Sequence, residues 1–440
     1  MVTGFPAELI REIVSHLPEE IYERPSRLSS LSRVSSQFRE PCQQKLFSHL
    51  HLYPPGPPRS RYVQFIVGKR LLWLLDNSTM LKKYTKTITI NEEEEWLKDD
   101  PKITEALTRI NALGVLRELR LHDTQSLGGL ELDLREVITS ICSSPNFSSL
   151  FIQTSDDSLA SSRLVKASIS TLKRLEVHLY RLTPGASRFI PPNEGQPQPQ
   201  LQLESFVFHV EAGVCAETLD YVLEASGGSM KTLQALHVLT QKKQLSAVIL
   251  AKIASFAYTA TDLRRLTYEL PFNIDDYGRA PKDTTKDTIL DLSKLGKLKS
   301  ISITYARIQS DPKKGDSPRK DPFLWVLRLF QTIPPSFSLE SVHLVIQHFY
   351  YDASFPLESA EANFHQLDAL LSDREKLPFL RNVTIDLYFH ARHVYFKPDI
   401  ASRLQREISE YKGAFATLHR RRLLNVRTLR EMHGRDGALY

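Results

Sequence analysis

One pattern of apolar and polar positions recurs along most of the chain. Each copy has an apolar residue, two further residues, a second apolar residue, one residue and a third apolar residue. The last two apolar positions alternate with polar ones, which is the periodicity of a half-buried β-strand. The copies are Leu116-Leu119-Leu121, Phe147-Leu150-Ile152, Leu172-Leu175-Val177, Leu203-Phe206-Phe208, Leu233-Leu236-Val238, Leu263-Leu266-Tyr268, Leu298-Ile301-Ile303, Leu339-Val342-Leu344 and Leu380-Val383-Ile385, with a weaker first copy at Thr85-Ile88-Ile90. They start 25 to 41 residues apart.

The segments between the copies have helical periodicity. These predicted helices begin near Ile103, Asp133, Ala216, Ser246, Phe323 and Phe364. Strand and helix repeated in this way indicate a leucine-rich-repeat solenoid, because each unit has an apolar edge that only a neighbouring unit covers. The predicted fold class is α/β, with a curved parallel sheet and the helices outside it. A doubly wound α/β sheet also alternates strands and helices, but no Gly-rich βα turn supports it here.

The segment from Phe5 to Leu52 has a different pattern and predicts three short helices. Pro6 suits the first turn of the first helix, and Pro41 suits the start of the third. The apolar positions at helical spacing are Leu9, Ile10, Ile13, Val14 and Leu17, followed by Leu28, Leu31, Val34 and Phe38. Three short helices bury little apolar surface by themselves. Part of this surface therefore needs a partner.

The residues of this segment resemble the F-box. The resemblance rests on Pro6, Glu8-Leu9, Ile13, Leu17, Leu28, Leu31, Val34-Ser35, Phe38-Arg39 and Leu46-Phe47. It departs from the usual F-box pattern at Phe5, where Leu is usual, and at Phe38, where Trp is common. An F-box implies docking onto the Skp-type adaptor of a cullin ubiquitin ligase. The adaptor contacts that the resemblance implies are Pro6, Leu9, Ile13, Leu31, Val34, Ser35 and Phe38.

With its repeats, the chain resembles the large fungal family of F-box proteins that carry leucine-rich-repeat-like domains. The resemblance implies a substrate-recognition subunit of an SCF-type ligase, whose repeats bind an unknown protein target. Two other interpretations stay open. In the first, the chain is a repeat scaffold that belongs to no ligase, and its N-terminal helices cap the array. In the second, it is a nucleic-acid-associated protein that uses its basic C-terminal helix.

Composition divides the chain into four predicted regions. Residues 1–52 form the helical module, and the proline-rich residues 53–61 form a linker, because proline continues neither a helix nor a central strand. Residues 62–398 form the solenoid. Residues 399–440 form an amphipathic helix, weakened near Gly413, and a basic tail.

Charge, hydropathy and cysteine content indicate which partners and which cellular compartment to expect. The net charge of +6 and the pI near 9.0 are a mild bias for 440 residues, so a nucleic-acid partner is not predicted. The sequence contains no run of eighteen apolar residues, so no membrane span is predicted. The N-terminus has no secretory signal pattern. The three widely spaced cysteines favour a reducing compartment, the cytosol or the nucleus.

Candidate chemistry is sparse. The sequence has no GxSxG, HExxH or GxxxxGK[ST] motif, so we predict no enzyme activity, no catalytic residue, no cofactor and no metal. The residues between the apolar strand positions are expected to face outward and to bind the target. The candidates are Arg120, His122, Glu176, His178, His209, His237 and Glu269, in a row that continues through Ser302, His343, Thr384 and Asp386.

Overall fold

The computed structural model describes residues 7–15, 24–53, 67–91, 96–124, 131–154, 158–179, 200–210, 215–228, 230–240, 247–269, 290–308, 323–349, 361–389 and 400–430. The chain divides into two compact units, residues 1–202 and 203–440. Both units are built from parallel β-strands that alternate with helices. No helix within these ranges has the length and apolar character needed to cross a membrane.

In the first unit, five described strands pair in parallel and in the order of the sequence. They are β1 His49–Leu52, β2 Thr87–Asn91, β3 Glu118–Thr124, β4 Ser149–Thr154 and β5 Arg174–Leu179. The helices are α1 Ala7–Ser15, α2 Arg24–Val34, α3 Ser36–Phe47, α4 Val67–Asn77, α5 Thr79–Tyr84, α6 Trp96–Asp99, α7 Ile103–Ala112, α8 Leu132–Cys142 and α9 Ser158–Ala167. Helices α7, α8 and α9 pack side by side along the sheet.

In the second unit, seven described strands follow the same rule. They are β6 Ser205–Val210, β7 Ala235–Thr240, β8 Arg265–Glu269, β9 Ser300–Ile308, β10 Ser341–Phe349, β11 Asn382–Phe389 and β12 Leu424–Arg430. The helices are α10 Cys215–Ala225, α11 Ala247–Thr259, α12 Phe323–Gln331, α13 Glu361–Leu371, α14 Ile400–Ala414 and α15 Ala416–Arg420, with a short 3₁₀ helix at Leu292–Lys294. The α/β architecture predicted from the pattern is therefore observed.

Strand register follows the apolar pattern copy by copy. Leu119 of β3 pairs with Leu150 of β4, and Ile301 of β9 pairs with Val342 of β10. All three apolar positions of every copy are buried. Because each strand lies beside its sequence neighbour and the order never reverses within a unit, the arrangement is leucine-rich-repeat-like and not doubly wound.

The sheet of the first unit begins earlier than the sequence analysis predicted. Strand β1 lies inside the predicted helical module 1–52 and pairs with β2. Its residues repeat the apolar pattern as Phe47-Leu50-Leu52, although the sequence pattern predicts the end of the third helix here. That helix also starts earlier, at Ser36, and accommodates Pro41 inside it. Helix α3 therefore leads directly into the first strand, and the predicted linker 53–61 lies outside the described residues apart from Tyr53.

The last part of the chain also differs from the prediction. Residues 399–440 were expected to form one helix and a tail, but they contain α14, α15 and strand β12. The break between the helices falls beside Gly413, as its weak helix propensity suggested. Asp368 of α13 fixes the second helix, because its buried carboxylate accepts the backbone N–H groups of Thr417 and Leu418 at 2.9 and 3.0 Å.

Candidate functional site

Helix α1 has two apolar faces with different surroundings. Ile10 and Val14, four residues apart, are buried, and Val14 packs in a small cluster with Leu28 and Cys42. Leu9 and Ile13 lie on a different face and stay 43% and 40% exposed. The Lys45 ammonium of α3 donates to the Val14 carbonyl at 2.9 Å, which ties the end of α1 to α3. The helix is therefore held in place while an apolar pair remains open.

The other predicted adaptor contacts fall into separate environments. Val34, at the end of α2, is 71% exposed. Ser35 is half-buried and forms the N-cap position of α3, where its side chain makes no capping hydrogen bond. Leu31 and Phe38 are partly buried and pack against the Val14 cluster, so they help to hold the three helices together. Pro6 lies outside the described residues.

The outward face of the first sheet carries an ion-paired and stacked group. Arg120 donates to Glu118 at 2.8 Å and lies over the Phe151 ring, 5.8 Å from its centre. His122 approaches the Gln153 side-chain oxygen at 3.0 Å, and its ring lies 4.4 Å from that of Phe151. Arg120 and His122 were both predicted on this face, and the structure places them side by side around Phe151.

His178 occupies the predicted face but is not accessible. Its side chain is only 1% exposed. The Phe151 ring, itself buried, packs 4.8 Å from it, and Glu176 accepts a hydrogen bond from its Nε2 at 2.8 Å. The prediction that His178 presents its side chain to a partner is therefore corrected. The sequence pattern showed its side of the strand but not the phenylalanine beside it.

Three predicted residues of the second unit lie on its outward face. His209 is on β6. His237 is on β7, where it pairs with Val207 of β6 and Thr267 of β8. Glu269 is on β8 and pairs with Thr304 of β9. All three are half-buried. They lie on three different strands, β6, β7 and β8.

A continuous polar chain crosses strands β9 to β12 of the same face. The Ser302 hydroxyl lies 3.2 Å from His343 Nδ1, and His343 Nε2 donates to Asp386 Oδ2 at 2.8 Å. Arg427 then donates to both oxygens of Asp386, from Nε at 2.7 Å and from Nη2 at 2.8 Å. We call these four residues the β9–β12 relay. Strand register explains it, since Ser302 pairs with His343 and Asp386 pairs with Arg427.

The charges of the relay are strongly coupled. Burial alone would raise the pKa of Asp386, but the hydrogen bonds from Arg427 and His343 outweigh it and hold that pKa below its usual value. The same bonds raise the pKa of Arg427. Asp386 and Arg427 therefore form a bidentate ion pair in which the carboxylate is ionised.

The relay has the order of a Ser-His-Asp hydrolase triad but lacks two of its physical requirements. Arg427 neutralises the carboxylate that a triad uses to support a positively charged imidazole. Ser302 lies in the middle of a strand that is paired on both sides, so the nearby backbone N–H groups serve the sheet and not an oxyanion. The arrangement suits binding and not acyl transfer.

Sequence reasoning found most of this relay but missed Arg427. The row of outward positions includes Ser302, His343 and Asp386, whereas Arg427 falls in the region 399–440 that is predicted to form the C-terminal helix and basic tail. The signal was present as Leu424 and Val426, an alternating pair that pairs with Val383 and Ile385. The first apolar position of that copy is Arg421, which broke the pattern.

Comparison with known proteins gives little further information. No protein-family model matches the chain, and no curated relative was found. Among solved structures, the chain is similar to human 5T4 (Wnt-activated inhibitory factor 1, trophoblast glycoprotein), at 15% identity over 64% of this chain and 77% of that one, with a TM-score of 0.27. A likeness of this size carries no argument. The fold assignment therefore rests on strand order and register.

Proposed function

We propose that this protein is the substrate-recognition subunit of an SCF-type cullin ubiquitin ligase. Helix α1 and its neighbours would bind the Skp-type adaptor, and the repeats would bind a target protein. The chain itself performs no bond chemistry. Its contribution is proximity, since it holds a target lysine near a conjugating enzyme that other subunits carry. Such a subunit acts in the cytosol or the nucleus.

The observation that carries this proposal is the open apolar face of α1. Leu9 and Ile13 are two of the residues that the F-box resemblance assigns to the adaptor, and both are exposed on a helix whose Ile10 and Val14 face is buried. A fixed helix that presents aliphatic side chains is a suitable surface for a partner helix or groove. Val34 adds a third exposed aliphatic group from α2.

The test is binding of a purified Skp-type adaptor to the full chain and to a Leu9→Ala, Ile13→Ala double variant. Burying each aliphatic side chain at an interface contributes about 1.5–3 kcal/mol, so the double variant should bind tenfold or more weakly. Leu132→Ala is the matched control, because Leu132 is exposed on α8, outside the three N-terminal helices. Failure of the folded wild-type chain to bind the adaptor rejects the ligase proposal.

A second candidate is a repeat scaffold whose N-terminal helices only cap the array. This reading is supported by the direct attachment of α3 to the repeats. Glu40 of α3 accepts hydrogen bonds from Tyr84 at 2.7 Å and from Lys83 at 3.2 Å on α5, and β1 follows α3 at once. In that case adaptor binding is absent, and removal of residues 1–47 exposes the first strand and lowers solubility.

A further inference from the structure

The exposed part of the β9–β12 relay is positively charged, although the relay contains a full carboxylate. Asp386 is 3% exposed, whereas the side chains of His343 and Arg427 are 37% and 52% exposed. A ligand that approaches from solvent therefore meets the guanidinium and the imidazole before it meets the carboxylate. Because Coulomb energy falls with distance, the nearer Arg427 guanidinium dominates the interaction with a charged ligand.

From this asymmetry we infer that the relay binds carboxylate side chains of an acidic protein segment. The inference rests on the proposed function, because it names the chemical class of target that the repeats of the second unit recognise. It assigns a ligand class to Ser302, His343 and Asp386, which the sequence predicted on the outward face, and it adds Arg427 to them. The F-box resemblance says nothing about this site.

Arg427 is fixed in advance for such a ligand. Two of its five N–H groups donate to Asp386, which holds the guanidinium plane in one orientation on the sheet. The other N–H groups are available to a second carboxylate in the planar, forked geometry that guanidinium groups favour. A side chain that is already ordered loses less conformational entropy on binding.

His343 joins Ser302 to Asp386 within the site. Its Nε2–H donates to the Asp386 carboxylate at 2.8 Å, and its Nδ1 accepts from the Ser302 hydroxyl at 3.2 Å. These two bonds hold the imidazole in place beside the ion pair of Asp386 and Arg427.

The surroundings of the relay do not oppose an anion. On the described outward positions of β9 to β12, Asp386 is the only acidic residue, and its charge is balanced by Arg427. Apart from Val345 and Tyr388, the remaining outward residues are short hydroxyl or amide side chains: Ser300, Thr304, Ser341, Gln347, Asn382, Thr384 and Asn425. The next charged or titratable groups on this face of the unit are His209, His237, Arg265 and Glu269, on β6 to β8. Hydroxyl and amide groups suit the backbone of an extended segment.

The experiment measures binding of a fluorescent short polyglutamate peptide to the full chain by anisotropy, with polyglutamine as the uncharged control. We expect binding of polyglutamate only, weakened by salt as expected for exposed charges. Arg427→Gln should lower the affinity about tenfold, the scale of a charge-assisted hydrogen bond. Arg265→Gln, an exposed arginine on β8 of the same unit, is the matched control and should change it little.

A further variant separates the site from general damage to the fold. Arg427→Lys keeps the charge without the fork and should lie between wild type and Arg427→Gln, which keeps the test usable if the glutamine variant unfolds. Thermal unfolding of each variant confirms that it is folded.

Three outcomes would overturn the inference. They are equal binding of polyglutamate and polyglutamine, equal effects of Arg427→Gln and Arg265→Gln, and equal affinities of Arg427→Lys and Arg427→Gln. The adaptor experiment uses different residues on α1, so the two proposals fail separately. Peptide binding without adaptor binding leaves the anion site intact and rejects only the ligase. Adaptor binding without peptide binding does the reverse.

Discussion

The repeats and the N-terminal helices use the same kind of apolar periodicity with opposite results. The apolar positions of the ten copies predicted from the sequence are buried, because stacked repeats cover one another's apolar edges. In the N-terminal helices, the cluster of Val14, Leu28 and Cys42 is small, and Leu9, Ile13 and Val34 remain exposed. The repeats bury their own apolar side chains, whereas the N-terminal helices leave three aliphatic side chains exposed.

The largest expected effect comes from shortening an apolar side chain in each region. Leu121→Ala in β3 leaves a cavity in a fully buried position, so it should lower the free energy of unfolding by about 2–5 kcal/mol. Leu9→Ala removes an exposed side chain and should change it by less than about 0.5 kcal/mol. Chemical denaturation of both variants measures the difference. Equal losses would mean that α1 is packed on both faces.

Two helical glycines, one in a crowded position and one in open space, extend the comparison. A Cβ atom at Gly68 of α4 would lie 2.3 Å from the Lys102 carbonyl carbon, beside the place where Asp100 accepts the Gly68 N–H at 2.6 Å. Gly68→Ala should therefore destabilise the first unit by about 1–3 kcal/mol, the usual cost of overpacking. Gly413→Ala in α14 meets open space and should stabilise by up to about 1 kcal/mol. Melting temperatures of the two variants should move in opposite directions.

Two buried cysteines among the described residues allow the N-terminal helices and the repeats to be probed separately. Cys42 lies in the helical cluster and Cys142 at the end of α8 in the repeats, and burial raises the pKa of both thiols. Each therefore reacts with a thiol reagent only after local opening. In a Cys215→Ser background under mild denaturant, we expect Cys42 to be modified first, because fewer apolar contacts hold it. Mass spectrometry of the modified peptides measures the order, and simultaneous modification contradicts it.

The smallest effect concerns acid stability. Because the pKa of Asp386 is lowered on folding, its contribution to stability is present above the pKa of the unfolded chain and is lost as pH falls toward the folded value. Asp386→Asn should therefore reduce the loss of stability as the pH falls through the acid range. Asp262→Asn is the control. The pKa of Asp262 is lowered by its hydrogen bond with exposed Lys297, and an exposed pair contributes little to stability. Unfolding midpoints measured across the acid range compare the two substitutions.

The sequence alone predicted the repeats well because their signal is local. An apolar position every second residue defines a strand face, and its return after a helix defines the stacking partner. The nine strong copies and the weaker copy at Thr85 all form buried strands, in the register that the pattern implies. The first and last strands were missed where helix-like residues precede Leu50 and where Arg421 replaces an apolar residue.

The candidate sites were predicted less completely, for a physical reason. Strand periodicity placed His178 and Asp386 on the outward face, but it gave no information about which side chains lie beside them. Only the tertiary structure placed Phe151 against His178 and brought Arg427 to Asp386 from 41 residues away.

The chain alone therefore determined the repeating strand–helix units and the direction of each side chain, because these depend on residues close in sequence. The tertiary structure decided which face of α1 is buried, that Lys102 lies against Gly68, and that Asp386 keeps its charge. Each of these depends on a partner that comes from a distant part of the chain, and local periodicity contains no record of that partner.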